Sequence, residues 1–422
     1  MQFRVMSWAR GVLASALLAT SVVAAQPATT AAGPGTLVIA GGALRYDNAP
    51  VWQRIVDAAG GRNARIAVIA AAAGNPQRSA NNTIEALARY GAEGFFVPAA
   101  PRLKDADARK AANDPALADR VRAAGGVYFT GGDQGRITRT LVNDDGTPSL
   151  LLQAIREVYA RGGVLAGSSA GAAIMSETMF FEPGEVIDTL LTGVRDGKEI
   201  APGLGFIGPG VFVDQHVLAR GRFARMLPAM LAARTPFGLG VDENTAIVVR
   251  AGSAEVLGAS GVVAIDLRQA VREAGPHFAL RGARVSHLMA GDRIDLATGA
   301  VTVAEARRKA TRLDPKAADF HAEHTQPFFT WDMLGHATLP ALLANLIENR
   351  HAEAVGLALL RPTVTGPAPD AQPLDGFEFR FRRTPASLGY LFTADGDEQF
   401  TVLDIEFEVR PIRLRDGRVL SR

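Results

Sequence analysis

The chain has 422 residues, of which 48% are hydrophobic and 21% are charged, so it can bury large cores in two domains or three small ones. It contains no cysteine, which excludes disulfides, thiol catalysis and thiolate zinc sites. Its 45 Lys and Arg residues nearly balance its 43 Asp and Glu residues, so no overall charge favours nucleic acid or a membrane surface as a partner.

The first 25 residues are typical of a secretory signal peptide, and residues 26–35 are typical of a linker. Two arginines precede a short apolar run, and the small residues Ala24 and Ala25 precede the expected cleavage site. The run is shorter than the roughly 20 residues of a membrane-spanning helix, so cleavage is favoured over a membrane anchor. We therefore expect a secreted protein, periplasmic or extracellular, without membrane association after signal cleavage.

Residues 36–270 alternate short apolar runs with helical stretches, which predicts one α/β domain. Its predicted fold class is a mostly parallel sheet with helices on both faces, an arrangement that resembles the class I glutamine amidotransferases. Catalytic side chains of such a sheet are expected at the carboxyl ends of the strands. The predicted strands are Thr36–Leu44, Ala64–Ala71, Gly94–Ala99, Gly126–Thr130 and Gly163–Ala166, and the predicted helices are Pro50–Ala59, Ser79–Tyr90, Ala106–Ala124 and Ser149–Arg161.

Two later strands, Phe237–Val249 and Ala254–Leu267, are predicted to close this domain near residue 270. Residues 271–422 are predicted to form a C-terminal extension of the α+β class, rich in β-strands that alternate apolar and charged residues. Its predicted elements are a helix at Pro327–Asn349, a proline-rich loop at Pro362–Leu374, and strands at Phe377–Arg382 and Phe400–Leu414.

The segment Gly167-Ser-Ser169-Ala-Gly171 follows the strand GVLA and precedes a helical stretch. This G-x-S-x-G pattern, between a strand and a helix, is typical of a nucleophilic serine held at a tight turn. Ser169 is therefore the candidate nucleophile, and the backbone N–H of Ala170 is a candidate oxyanion donor. On its own, the motif is equally typical of a turn that only caps a helix.

A nucleophilic serine needs a base, and His216 is the one histidine of seven that lies within the α/β segment. It ends an apolar run, where a parallel sheet places catalytic side chains. A carboxylate should orient the imidazole, and the loop position of Glu185 favours this residue. Spacing alone leaves Glu182 and Asp188 open as alternatives.

Three arginines follow His216 closely, at positions 220, 222 and 225. Guanidinium groups bind carboxylates in a two-pronged fork, so this cluster indicates an acidic ligand. The alternative is a solvated helix face, which is the usual explanation for a run of charges. The proximity to His216 favours the binding role.

Four motifs, in this order along the chain, together resemble the cyanophycinases, serine peptidases related to the α-aspartyl dipeptidases. Such enzymes cut cyanophycin, a polyaspartate with an arginine on each β-carboxyl group, into β-Asp-Arg dipeptides. The motifs are Gly131-Gly-Asp-Gln134, Gly167-Ser-Ser169-Ala-Gly171, Asp214-Gln215-His216 with Arg220, Arg222 and Arg225, and Gly240-Val-Asp-Glu-Asn-Thr245.

The resemblance implies a role for each matching residue. It assigns Ser169 as nucleophile, His216 as base, and the N–H of Gly132 as a second oxyanion donor beside Ala170. Asp242 and Glu243 match as well and are interpreted as structural. Asp214 is expected to meet a substrate guanidinium, and the arginines are expected to hold carboxylates. The implied substrate-binding residues are Gln134, Asp214, Gln215, Arg220, Arg222 and Arg225.

We therefore predict a secreted serine peptidase that acts on cyanophycin, or another Asp- and Arg-containing peptide, through a triad and an acyl-enzyme, without metal or cofactor. A peptidase for other aspartyl or isoaspartyl peptides and a non-catalytic binding protein of the same fold are the alternatives. A zinc site at His321 and His324 beside Asp319 is a further option, although a polar helix edge is more typical. A homodimer is left open.

Overall fold

The computed structural model of the protein describes residues 35–360, 374–394, 396–415 and 418–421. The predicted signal peptide over 1–25, the predicted linker except for Gly35, and nearly all of the predicted proline-rich loop lie outside these ranges. None of the helices within them has both the length and the apolar character needed to cross a bilayer.

Six of the helices begin beside an Asn, Asp or Ser side chain that accepts a hydrogen bond from a backbone N–H of the first turn, which explains where they start. In chain order the helices are α1 Ala49–Ala58, α2 Pro76–Arg89, α3 Ala108–Ala112, α4 Pro115–Arg122, α5 Gln134–Leu141, α6 Leu150–Ala160, α7 Ala170–Ala173, α8 Val186–Thr192, α9 Phe223–Ala232, α10 Glu305–Arg308 and α11 Thr338–Glu348.

The strands form two large sheets and one small two-stranded sheet. In chain order they are β1 Thr36–Ala40, β2 Arg65–Ile69, β3 Glu93–Val97, β4 Gly126–Phe129, β5 Val164–Ser168, β6 Thr178–Phe180, β7 Ile200–Pro202, β8 Val211–Gln215, β9 Phe237–Val241, β10 Thr245–Arg250, β11 Ser253–Gly258, β12 Val262–Asp266, β13 Val271–Arg272, β14 Leu280–Leu288, β15 Arg293–Asp295, β16 Val301–Thr302, β17 Thr311–Leu313, β18 Phe329–Thr330, β19 Glu353–Leu359, β20 Leu374–Ala394, β21 Asp397–Arg415 and β22 Arg418–Ser421.

The first sheet has the strand order β16-β15-β11-β10-β1-β5-β4-β2-β3, and its five strands from β1 to β3 are parallel. Both faces are buried, because Leu37 and Ile39 of β1 join one hydrophobic cluster while Val38 and Ala40 join another. Burial on both sides explains why these strands are almost continuously apolar. The predicted α/β fold class is confirmed.

The second sheet has the order β18-β19-β20-β21-β14-β12-β9-β8, with short side strands. Strands from before and after residue 270 pair in it directly, since β12 lies antiparallel between β9 and β14. The described residues form one compact unit. The predicted domain boundary near residue 270 therefore falls inside a continuous sheet, and the C-terminal segment completes a core that the α/β segment begins.

The long hairpin of β20 and β21 shows the predicted alternation of apolar and charged residues. Phe377, Phe379 and Phe381 are fully buried, whereas the intervening positions point to the other face. There Arg380 and Arg382 each pair with Glu353, at 2.7 and 2.8 Å. The apolar face covers α9 and α11, so the strands are buried on one side only.

Two predicted helices differ from the structure. The predicted helix over 106–124 is divided into α3 and α4, because Pro115 disfavours the helical conformation at the residue before it. The helix predicted from Pro327 begins only at Thr338. Near the start of the predicted helix, Phe329–Thr330 form the short strand β18 instead. In both cases a proline or a turn interrupts the apolar sequence pattern from which one continuous helix was predicted.

The second sheet gives a stability prediction. Phe379 of β20 is fully buried, and its ring lies 5.8 Å from that of Phe223 in α9. Replacing Phe379 by alanine should lower the free energy of unfolding by about 3–5 kcal/mol, because a large cavity forms between the C-terminal hairpin and α9. Phe329→Ala, at an exposed phenylalanine, is the control and should change it by less than about 0.5 kcal/mol. Equal effects in urea denaturation would contradict this packing.

Candidate active site

Three consecutive carbonyl groups at the end of β1 hold the residues of the site together. The oxygen of Ala40 accepts the N–H of Ser169 at 3.0 Å, and the oxygen of Gly41 accepts the N–H of His216 at 2.9 Å. The oxygen of Gly42 accepts the N–H of Asn244 at 2.9 Å. The end of β5 in the first sheet and the ends of β8 and β9 in the second sheet thus meet at the carboxyl end of β1, the central strand of the first sheet.

Ser169 lies at the turn between β5 and α7 with φ of 55° and ψ of −109°, a backbone conformation that residues with a side chain rarely adopt. The glycines on either side allow this turn. A Cβ on Gly167 would lie 2.1 Å from the oxygen of Gly171, and one on Gly171 would lie 2.3 Å from the oxygen of Phe129. The G-x-S-x-G pattern therefore does form the sharp strand-to-helix turn that its sequence predicts.

Ser169, His216 and Glu243 form a chain of hydrogen bonds. The Ser169 Oγ lies 2.9 Å from Nε2 of His216, and Nδ1 of His216 lies 2.6 Å from Oε1 of Glu243. Because an ionised carboxylate can only accept, Nδ1 carries the proton and Nε2 is free to accept the serine hydroxyl. This is the arrangement that activates a serine for nucleophilic attack.

The surroundings of His216 favour its neutral form. Burial lowers the pKa of His216 below its ordinary value of 6.5, and the charges of Arg220 and Arg222 act in the same direction. The hydrogen bond to Glu243 raises the pKa and opposes burial. The net lowering keeps the imidazole able to accept a proton near neutral pH.

The carboxylate beside the imidazole is Glu243, not Glu185 as predicted. Glu185 lies before α8, as the residue that precedes its first turn, and makes no hydrogen bond to His216. The structural interpretation of Asp242 fits, because its Oδ1 accepts the N–H groups of Leu218 and Ala219. It holds the turn after β8 in place, while the next residue, Glu243, reaches the imidazole.

Glu243 could have been found from the sequence by the rule that selected His216. It is the second residue after the end of β9, which lies parallel to β8, so the side chains of Glu243 and His216 emerge at the same sheet edge. The carboxylates favoured by spacing all lie between Ser169 and His216, whereas Glu243 follows a strand that comes later in the chain. Gly42 was also missed, although a Cβ there would lie 2.2 Å from Cε1 of His216.

The loop after β4 passes close to the serine. A Cβ on Gly131 would lie 3.3 Å from the Cβ of Ser169, and Gly132 has φ of 141° with no room for a side chain beside the oxygen of Ala72. Within the described ranges, the N–H groups of Gly132 and Ala170 donate to no protein acceptor. Both predicted oxyanion donors therefore lie on segments that adjoin Ser169 and have N–H groups available.

Two predicted substrate contacts are already engaged with each other. Asp214 and Arg225 are 1% and 4% exposed, and they form two hydrogen bonds of 2.8 Å. The guanidinium also lies 4.2 Å from the ring of Phe180. The expectation that Asp214 meets a substrate guanidinium therefore needs correction, since a fully used, buried carboxylate acts as a support of the site.

The remaining predicted substrate-binding residues differ in how far their side chains are already engaged within the protein. Gln215 accepts a hydrogen bond of 2.7 Å from Arg222, and Gln134 donates its amide to the backbone oxygen of Phe180. Burial lowers the pKa of Arg222 to about 10, with Arg225 and Arg220 acting in the same direction. Arg220 is half exposed and lies 3.8 Å from Glu243. Arg220 and Arg222 are thus the cations of this set that can reach a ligand.

The predicted zinc option at His321 and His324 has no support from the geometry. His324 lies 3.9 Å from Glu348, and no group of three or more His, Asp or Glu side chains in the described ranges could hold a metal ion. The two histidines lie in an irregular segment rather than on a helix.

Comparison with known proteins finds a matching family over the segment that holds this site. The profile of "Peptidase family S51" matches residues 37–257. A cyanophycinase of Trichormus variabilis is 31% identical over 269 residues, which cover 62% of this chain and 85% of that protein. A cyanophycinase of Geminocystis herdmanii is 32% identical over 234 residues, which cover 54% and 79%.

Among solved structures, a peptidase from an acI-B1 Actinobacterium is similar, with 25% identity and a TM-score of 0.41. The similarity covers 54% of this chain and 89% of that one. The C-terminal hairpin and α11 lie beyond the residues that the family profile matches.

The close approach of Gly42 to the imidazole of His216 gives a prediction. Gly42→Ala should slow labelling of Ser169 by a fluorophosphonate at least about 100-fold, because the new Cβ displaces the imidazole by an ångström or more. Gly60→Ala is a matched control, since Gly60 has the same φ of 116° and its nearest neighbour to a new Cβ lies 3.9 Å away. Similar labelling rates for the two variants would show that the imidazole does not depend on this space.

Proposed function

The chain belongs to peptidase family S51, and from this membership and the site we propose that it hydrolyses cyanophycin to β-Asp-Arg dipeptides. The single observation that carries the proposal is the hydrogen-bonded chain from Ser169 through His216 to Glu243. Its serine-type peptidase chemistry agrees with the family. The polymer as substrate is supported by the names of its relatives and by the arginine-rich wall of the site.

The first half of the reaction would form an acyl-enzyme. Ser169 Oγ attacks the carbonyl carbon of an aspartyl peptide bond while Nε2 of His216 takes the hydroxyl proton. The N–H groups of Gly132 and Ala170 stabilise the negative charge that develops on the carbonyl oxygen. The C–N bond then breaks, and His216 passes its proton to the leaving amine, while Glu243 stabilises the imidazolium.

The second half would return the enzyme to its starting state. Water attacks the acyl carbon, His216 accepts a proton from it, and the Ser169 oxygen leaves and recovers that proton. Arg220 and Arg222 are placed to bind the α-carboxylate of the arginine that each aspartate carries. Asp214 and Gln215 would act by orienting Arg225 and Arg222.

We also propose that the protein is secreted, for the reason given by the composition of residues 1–25. Cyanophycin is then met outside the cytoplasm, as polymer released from other cells. Mass determination of the N-terminus of protein exported by a bacterial host checks this, and a chain that retains residue 1 would count against it.

Incubation with insoluble cyanophycin tests the proposed function, with products identified by mass. The wild type should release β-Asp-Arg, and Ser169→Ala should release none. Glu243→Gln should lower kcat by roughly 100- to 10,000-fold, because the imidazole loses the carboxylate that orients and stabilises it. Glu182→Gln, at an exposed glutamate of the same region, is the control and should match the wild type.

If Ser169→Ala still released product, the mechanism would fail. If the wild type cleaved short aspartyl or isoaspartyl peptides but left cyanophycin intact, the mechanism would stand and the substrate would be wrong. If Glu182→Gln lost as much activity as Glu243→Gln, the carboxylate would be wrongly assigned.

The pH dependence follows from the lowered pKa of His216. The neutral imidazole is the active form, so kcat/KM should reach its maximum above this pKa. It should fall as the pH decreases through the pKa, with the midpoint of the fall at a pH below 6.5. Arg220→Met removes a charge that lowers this pKa and should move the midpoint to higher pH. Arg102→Met, at an exposed arginine elsewhere, should leave it in place. A midpoint at or above 6.5 in the wild type would refute the argument.

A further inference from the structure

A cavity of about 560 Å³ lies between the start of α8 and the C-terminal segment. Glu185 and Asp188 line one side, and Trp331, Asp332 and the end of β19 line the other. Its volume is in the range of small-ligand sites. Because α8 precedes residue 257 and the other wall follows it, the cavity is built partly from residues beyond the family match.

Arg220 connects this cavity to the candidate active site. Its side chain lines the cavity, and its guanidinium lies 3.8 Å from the Glu243 carboxylate. The turn that carries Arg220 is held by Asp242 through the N–H groups of Leu218 and Ala219. A ligand in the cavity would therefore share one wall residue with the relay that contains Ser169.

Three carboxylates line the cavity, and one of them, Glu185, also attracts the guanidinium of Arg222 electrostatically. Glu185, Asp188 and Asp332 are exposed, and none of the three side chains makes a hydrogen bond or ion pair within the described part of the chain. By contrast, Arg380 and Arg382 of the C-terminal hairpin are both paired with Glu353. Three unpaired carboxylates around one hollow favour a cationic ligand.

Trp331 adds a preference for a flat cation. Its side chain is 59% exposed although it lines the cavity, and it is held edge-on against Phe329 with ring centres 4.8 Å apart. A guanidinium stacks on an indole face and forks to carboxylates, which a compact ammonium does less well. The lining therefore fits an arginine side chain better than a lysine side chain.

The paired state of Asp214 strengthens this assignment. A substrate with arginine side chains needs an acceptor for each guanidinium, and the buried Asp214 is fully used by Arg225. Glu185, Asp188 and Asp332 line the same cavity as Arg220, and their carboxylates make no hydrogen bond or ion pair within the described residues. An arginyl residue could thus place its carboxylate on Arg220 and its guanidinium among these acidic side chains.

We propose that this cavity is a guanidinium-binding subsite, formed jointly by the start of α8 and the C-terminal segment, for an arginine side chain of the substrate. The inference rests on the proposed function, which it deepens. It gives Glu185 a role in substrate recognition and gives the C-terminal segment a part in specificity through Trp331 and Asp332.

Binding of two small probes tests the subsite without relying on turnover. Nα-acetyl-L-arginine and its neutral counterpart Nα-acetyl-L-citrulline are titrated by calorimetry into Ser169→Ala protein. The arginine probe should bind at least about tenfold more tightly, because its charged guanidinium forms stronger hydrogen bonds to carboxylates than the neutral citrulline does. Adding Asp188→Asn and Asp332→Asn together should remove this preference, and adding Trp331→Ala should reduce it.

The matched control is Asp319→Asn, which removes an exposed carboxylate of the C-terminal segment away from the cavity. It should retain the full preference for the arginine probe. An equal affinity for both probes in Ser169→Ala protein would overturn the subsite. A preference that survives in the Asp188→Asn, Asp332→Asn variant would overturn it as well.

Turnover of cyanophycin separates the subsite from the proposed function. In otherwise wild-type protein, Asp332→Asn should raise KM for the polymer severalfold while kcat changes much less. If cyanophycin is not cleaved but the probe preference exists and depends on Asp188 and Asp332, the polymer is the wrong substrate and the subsite stands. If cyanophycin is cleaved with an unaltered KM in Asp332→Asn, the subsite is wrong and the proposed function stands.

Discussion

The arrangement of the site depends on three peptide carbonyls at the end of β1. These groups, on Ala40, Gly41 and Gly42, fix the backbones of three distant segments of the chain. The first of those segments belongs to the first sheet, and the other two follow strands of the second sheet. Side chains on different sheets can form a relay of 2.9 and 2.6 Å only because this common support sets their separation. The site is therefore a property of how two sheets meet.

Ser169 and His216 could be predicted because each has a local signal in the sequence. The apolar run GVLA followed by small residues marked Ser169, and the polar end of another strand marked His216. The pairing of Glu243 with His216 has no local signal, since it arises from β9 lying beside β8 in space. The predicted α/β fold was correct because buried parallel strands have a distinctive, almost continuously apolar composition.

The extent of the second sheet could not be predicted from composition. The change from continuous to alternating apolar pattern after residue 270 indicated a separate β-rich extension. That change instead reflects a sheet whose later strands cover helices on one face only, as the three buried phenylalanines of β20 show. Register between β12 and β14 joins both parts of the chain, and such register is a long-range property. The three arginines likewise look alike in sequence, yet Arg225 supports the site while Arg220 faces a cavity.

Ser169, His216 and Asn244 all have positive φ, at 55°, 56° and 51°. The left-handed conformation costs a residue with a side chain roughly 1–2 kcal/mol, and glycine avoids most of that cost. At Ser169 and His216, glycine would therefore relieve the backbone and at the same time remove the chemistry. Backbone stability and activity thus make opposite demands on these two positions, and substitutions chosen for heat resistance alone would remove the nucleophile or the base.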